Sequence, residues 1–181
     1  MAYKLIEGGG VTTPKGFLAG ACYVGVKSRK SEKPDVAIIY SEQPASCAAM
    51  FTTNKFCAAP VILDREILKK GKARAVVINS GNANAATGEQ GIKDAKTVET
   101  EAEKLLGLGE DEVFVCSTGV IGQVLPMEPI QAGIPELGYG SAINTFCAVI
   151  PFVFYAIAAV ALVPLFSLGL VPKLGRMKKA Y

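Results

Sequence analysis

Ala75-Val76-Val77-Ile78-Asn79-Ser80-Gly81-Asn82-Ala83-Asn84-Ala85-Ala86-Thr87-Gly88 sets an apolar run against a string of small residues. Val113-Phe114-Val115-Cys116-Ser117-Thr118-Gly119-Val120-Ile121-Gly122 repeats the arrangement. The apolar parts, Ala75–Ile78 and Val113–Cys116, read as buried strands, and the small-residue parts as tight loops at their ends. Small side chains let a backbone approach a ligand closely, and glycine accepts backbone angles that other residues resist. Peptide N–H groups presented by such loops suit developing negative charge, the requirement of an oxyanion site. Either loop alone is equally well read as a turn chosen for packing. Together, with their flanking sequence, they point to acyl transfer.

Gly91–Leu106, between the two runs, carries apolar or small residues at Ile92, Ala95, Val98, Ala102, Leu105 and Leu106. That spacing predicts an amphipathic helix with lysines and glutamates on its outer face, ended by Gly107 and Gly109. Upstream, Gly16–Lys27 is apolar or small on both alternating faces and predicts a strand covered on both sides. Asp35–Tyr40 reads as its hairpin partner. Pro44–Met50 is expected to be a loop leading to a short strand near Phe51. Pro60–Leu63 reads as a short apolar element, with Asp64 capping a brief helix through Lys70. The sum is an α/β layered domain with a mixed sheet.

The composition narrows the chemistry. The 181 residues include no histidine, which removes the usual general base and the commonest metal ligand. A net charge of +3, without interleaved basic and aromatic residues, gives no case for nucleic acid. The five cysteines, Cys22, Cys47, Cys57, Cys116 and Cys147, form no CxxC pair. They read as buried small hydrophobes in a reducing compartment, with no disulfide framework and no zinc site. Cys116 has no histidine to activate it as a nucleophile. Residues Met1–Gly10 lack the apolar stretch of a signal peptide, so a cytoplasmic location is expected.

Four motifs in series carry a resemblance. Phe51-Thr52-Thr53-Asn54 with Ala58-Ala59-Pro60-Val61 comes first, followed by the Asn79–Gly88 loop. Ser117-Thr118-Gly119-Val120-Ile121-Gly122 and Leu125-Pro126-Met127 complete the series. From about Ala2 to Gly133 the chain resembles the α-chain portion of the ornithine acetyltransferase (glutamate N-acetyltransferase) family. The resemblance implies transfer of an acetyl group from N-acetylornithine, or from acetyl-coenzyme A, to glutamate in arginine biosynthesis. It implies no resident cofactor. It also implies a layered α/β sandwich of the self-processing type, cut into α and β chains, with the β chain's N-terminal threonine as nucleophile. Thr118 and Gly119 match the family's oxyanion-hole pair. Asn79 and Asn82 are assigned no catalytic role and read as turn-forming residues.

The resemblance stops near Gly133. Thr145 is the only threonine after Thr118, and its Asn144-Thr145-Phe146 setting is unlike the family's cleavage site. The nucleophile is therefore expected from a separate β chain, and the chain alone is expected to be inactive. No charged residue occurs from Leu137 to Pro172, and Lys173, Arg176, Lys178 and Lys179 follow. That pattern predicts a membrane-like helical segment with a basic flank, Ile143–Val163 fitting one span. Phe152–Ala156 and Met177–Ala180 resemble, over a short stretch, a sodium/proton antiporter segment. The chain is thus divided into residues 1–133 and 134–181, as expected of a chimeric or frame-shifted reading frame. Two other readings remain open: a membrane-associated, transporter-derived fragment without activity, and a module that binds anions without chemistry.

Overall fold

The computed structural model describes residues 8–27 and 33–137. Its element order is β1 (Phe17–Cys22), β2 (Val36–Ser46), α1 (Ala59–Leu68), β3 (Lys72–Asn82), α2 (Gly88–Leu106), β4 (Val113–Val120) and α3 (Met127–Gly133). A 3₁₀ turn over Ile134–Glu136 closes the described part. The strands form one four-stranded sheet in the order β1-β2-β3-β4. β1 and β3 both run antiparallel to β2, whereas β3 and β4 are parallel with α2 as the crossover. The mixed α/β sheet expected from the sequence is present.

Strand alternation sorts the sheet into two unlike faces. Val36, Ile38, Ala75, Val77, Val113 and Val115 point to one side and pack against Val98 and Ala102 of α2 and Ile130 of α3. Ile134 and Leu137, both about 1% exposed, belong to the same core, so packing continues past Gly133. On the other side Ala19, Ala37 and Ile78 are joined by half-buried Ala21, Ile39, Val76 and Cys116. Of the described residues beyond the strands, only Val11 joins this second cluster.

The α2 helix matches its sequence pattern at Ala95, Val98 and Ala102, all buried. Gly107 takes a left-handed φ of 63°, and the Leu108 N–H returns to the Glu103 carbonyl at 2.9 Å, closing the helix. Two details differ from the amphipathic expectation. Ile92 is 40% exposed, while Glu99 and Glu103 are buried. Lys96 lies 2.7 Å from Glu99 Oε2, leaving Glu99 Oε1 buried without a hydrogen-bond partner, and Glu103 Oε1 accepts from the Glu112 N–H.

Other expectations are corrected. The short strand near Phe51 is absent, because β2 instead runs on to Ser46. Its register shifts between Tyr40 and Ala45, and that irregular stretch accommodates Pro44, which has no N–H to give a ladder. Asp64 does not cap a helix but lies inside α1, which begins with Pro60 in its first turn. Strands β3 and β4 also outrun their apolar cores. The residues read as loops pair in register, Ser80 with Thr118, Gly81 with Gly119 and Asn82 with Val120. A ladder needs only backbone groups, and small residues present nothing to obstruct it.

The predicted membrane-like segment, its basic flank and Cys147 lie outside the described residues. Among the described residues no helix is long and apolar enough to cross a membrane.

Candidate functional site

Thr118 and Gly119 lie at the end of β4, the former half-buried and the latter exposed. Up to that end, the ladder fixes which way the amides of β4 face. Ala75 N–H donates to the Glu112 carbonyl at one end of the pair, and Ala83 N–H to the Val120 carbonyl (2.8 Å) at the other. Even-numbered residues of β4 therefore bond to β3, and odd-numbered ones face the free edge. The Val115 N–H confirms this parity by donating outward to Asp64 Oδ1 at 3.0 Å. The pairing with β3 continues through Gly81–Gly119 and Asn82–Val120, although the φ of 136° takes Gly119 out of regular strand geometry. By alternation the Thr118 side chain shares the sheet face of Cys116.

Two glycines bring the strand ends unusually close. Gly119 has φ 136°, and a Cβ built there would overlap the Gly81 carbonyl and lie 2.6 Å from the Asn82 nitrogen. Gly81 has φ 119°, and its Cβ would lie 2.7 Å from Lys27 Cγ and 2.8 Å from Lys27 Cα. Both conformations belong to the region that favours glycine. A stack results: Lys27 on Gly81, and Gly81 on Gly119.

Side chains around the strand ends hold the loops rather than face solvent. Ser117 Oγ accepts from the Asn84 N–H at 2.8 Å and lies 3.2 Å from the Asn82 carbonyl, to which it donates. Asn79 Nδ2 donates to the Asn82 carbonyl at 2.7 Å, and Asn82 Nδ2 to the Gln123 carbonyl at 3.0 Å. Asn84 is fully buried, donating to the Gly91 carbonyl and accepting from Thr87 Oγ1. These asparagines spend their amide groups on the backbone, which gives each a structural job.

Asp35, 2% exposed, was not picked out by sequence pattern, yet it anchors the other side of the stack. Its Oδ1 accepts from the Val24 N–H at 2.8 Å. Its Oδ2 accepts from the Gly25 and Lys27 N–H groups at 3.1 and 3.0 Å. The Asp35 carbonyl also accepts from the Ser80 N–H at 2.8 Å, which ties the β1–β2 connection to β3. The only visible sequence signal was an acid placed just before an apolar strand.

Two of the cysteines are held in the thiol form by their surroundings. Burial, with Asp64 adding a like-charge penalty, pushes the Cys116 thiol up to about 12. Burial, then Asp35 and Glu136, pushes Cys22 up to about 11. Cys22, Cys47, Cys57 and Cys116 are all free thiols and half-buried rather than fully buried as expected. Among the described residues no cluster of Cys, Asp and Glu is arranged to hold a metal ion.

A second titrating centre lies behind β4. Burial pushes the Asp64 carboxyl up to about 7; the Val115 N–H opposes this and Glu99 adds to it. Burial also raises Glu99, against the pull of Lys96. Because the fold raises Asp64 above its ordinary 3.8, its contribution is complete below that value and is lost as pH climbs towards 7. Over that window stability is expected to fall by up to about 1.4 kcal/mol per pH unit. In Asp64→Asn, which retains an oxygen for Val115, urea midpoints across the same window should decline less steeply. An unchanged slope would remove Asp64 from the account.

This α/β fold with its mixed four-stranded sheet matches solved structures. The ornithine acetyltransferase of Mycobacterium tuberculosis, solved with ornithine, matches with a TM-score of 0.69 and 39% identity, over 74% of this chain and 72% of that one. The arginine biosynthesis bifunctional protein ArgJ of Bacillus halodurans matches with a TM-score of 0.70 and 44% identity, over 74% and 69%. In sequence, the ArgJ protein of Caldanaerobacter subterraneus is 55% identical over 126 residues, 70% of this chain.

The ArgJ family model matches residues 18–152, and the chain belongs to that family. It spans 30% of the length of the Caldanaerobacter relative.

Proposed function

We propose that this chain supplies the oxyanion-stabilising half of an acetyl-transfer site in arginine biosynthesis. The acetyl group passes from N-acetylornithine, or from acetyl-coenzyme A, to glutamate. Family membership supports this reading, as does the ornithine carried by the Mycobacterium structure. The observation that carries it is the close Gly81–Gly119 approach, which holds the Thr118–Gly119 end of β4 in one place with Gly119 exposed.

The chemistry follows from that placement. Attack on the acetyl carbonyl moves negative charge onto its oxygen as the carbon becomes tetrahedral. The Gly119 N–H and Thr118 hydroxyl donate to that oxygen, and the close glycine pairing fixes their direction before reaction. A threonine supplied by a separate β chain makes the attack; the adduct collapses by breaking the acetyl C–N bond of N-acetylornithine (or the C–S bond of acetyl-coenzyme A), and ornithine (or the thiol) leaves with the threonine's proton. The glutamate amine then attacks the acetyl-threonine ester, whose C–O bond breaks as a proton from the amine returns to the threonine oxygen. Neither Cys116 nor any histidine is needed.

The test pairs the 181-residue chain with a separately expressed β chain from a relative. Acetyl transfer from N-acetylornithine to glutamate is expected in the mixture and from neither part alone. Thr118→Val should lower kcat by roughly 10²–10³-fold, the cost of one lost oxyanion donor, with the urea midpoint little changed. A variant as fast as the parent would remove Thr118 from the site.

A further inference from the structure

We infer that Ser117 is a positioning residue for acetyl transfer, its hydroxyl fixing the Thr118 end of β4 to an anchored loop; the inference rests on the acetyl-transfer reading above. Ser117 Oγ accepts from the Asn84 N–H at 2.8 Å and donates to the Asn82 carbonyl at 3.2 Å. A serine hydroxyl has one proton to give and lone pairs to receive, so both bonds form at once. Gripped from two sides, the hydroxyl has little freedom to turn. Thr118 follows one peptide later.

The loop that Ser117 holds is anchored without it. Asn84 is fully buried, its Nδ2 donating to the Gly91 carbonyl at 2.7 Å and its Oδ1 accepting from Thr87 Oγ1 at 2.6 Å. The Asn84 carbonyl accepts from the Ala59 N–H at 3.3 Å, and the Asn82 carbonyl from Asn79 Nδ2 at 2.7 Å. The loop is thus fastened to the first turns of α1 and α2, and the Ser117 hydroxyl sets the place of its own strand against it. Beyond the pair, the Ala83 N–H donates to the Val120 carbonyl and the Gly122 N–H to the Ala85 carbonyl, both at 2.8 Å. Asn82 Nδ2 donates to the Gln123 carbonyl at 3.0 Å. Thr118 and Gly119 lie between these later ties and the one made by Ser117.

That placement has a kinetic signature. Oxyanion donors work only when aimed at the carbonyl oxygen as it gains charge, and a displacement of about 1 Å can cost roughly 10²-fold in rate. Losing the Ser117 hydroxyl removes aim rather than a contact with substrate. The loss therefore falls on kcat and leaves KM nearly unchanged. It also passes through Thr118, so it shrinks once Thr118 has no hydroxyl to aim.

The test uses the same chain paired with a relative's β chain. Ser117→Ala is expected to lower kcat roughly 10–100-fold, with KM for N-acetylornithine within about twofold of the parent. Ser117→Cys fills the same space with a weaker hydrogen-bonding group and should lose rate similarly, while Ser117→Thr keeps the hydroxyl and should recover most of it. In a Thr118→Val background, Ser117→Ala should cost no more than about threefold. Ser41→Ala is the structural comparison, because it removes another serine hydroxyl bond, from buried Ser41 on β2 to the Gln43 carbonyl at 2.6 Å. Its urea midpoint should fall as that of Ser117→Ala does, with kcat unchanged. If Ser117→Ala keeps the parent kcat while Thr118→Val loses it, or if the two losses multiply in full, the transfer reading stands and the role of Ser117 is overturned. If Thr118→Val is as fast as the parent, or the parent pair transfers no acetyl group, that reading falls and the role of Ser117 falls with it.

Discussion

Gly119→Ala is expected to lose about 3–5 kcal/mol of stability, enough to unfold much of a marginal domain. Two costs add at this position. The added methyl meets backbone, not a side chain that can swing away, because the Gly81 carbonyl and the Asn82 nitrogen occupy its space. Overpacking of that kind costs roughly 1–3 kcal/mol, since strands must separate to relieve it. The φ of 136° adds about 1–3 kcal/mol of backbone strain for any residue with a Cβ. Gly122→Ala is the matched control. It also has a positive φ, 80°, but nothing lies within 4 Å of its Cβ position. Urea midpoints should place Gly122→Ala within about 1–2 kcal/mol of the parent and Gly119→Ala far below it. Equal midpoints would show that the strand ends do not approach as closely as described.

Asp35→Ala is expected to cost about 3–5 kcal/mol through a different mechanism. Three backbone N–H groups lose one carboxylate, and each half-buried donor left without a partner carries a penalty of roughly 1–3 kcal/mol. Water reaches the exposed side of the turn at Lys27 and returns part of that sum. Hydrogen exchange gives the sharper reading, because the amides of Val24, Gly25 and Lys27 should lose protection together while those of α2 keep theirs. Asp35→Asn keeps one acceptor oxygen and should fall between the two. Unchanged protection in Asp35→Ala would mean that the turn is held by something other than the carboxylate.

Periodicity carried the parts of the fold that depend on it. The hairpin, β3, β4 and α2 announce themselves because Val, Ile and Ala recur at the spacing their geometry demands. The Thr118–Gly119 pair could be singled out as a candidate for a different reason: the surrounding motif is a run of consecutive residues, so no folding was needed to bring its members together. α1 was obscured because Pro60, Val61 and Ile62 look like a strand fragment, and the helix is settled by packing against α2 and β4. The extension of β3 and β4 was hidden because backbone pairing leaves no mark on side-chain pattern. Asp35 was hidden for the same kind of reason. Its importance arises from partners that become neighbours only when the β1–β2 connection folds onto Gly81, and an isolated acid in a sequence carries no sign of that.

The Asp64 carboxylate on the Val115 amide has a consequence for how the sheet meets other chains. Among the described residues β4 is the edge strand, and its outward amides would otherwise offer a template on which a foreign strand could register. Asp64 occupies that template near its middle, so an incoming strand would have to displace a buried acid before it could zip along the edge. Among the described residues the edge is thereby barred near Val115. A single aspartate from α1 thus keeps this row of amides from recruiting neighbouring chains into aggregates.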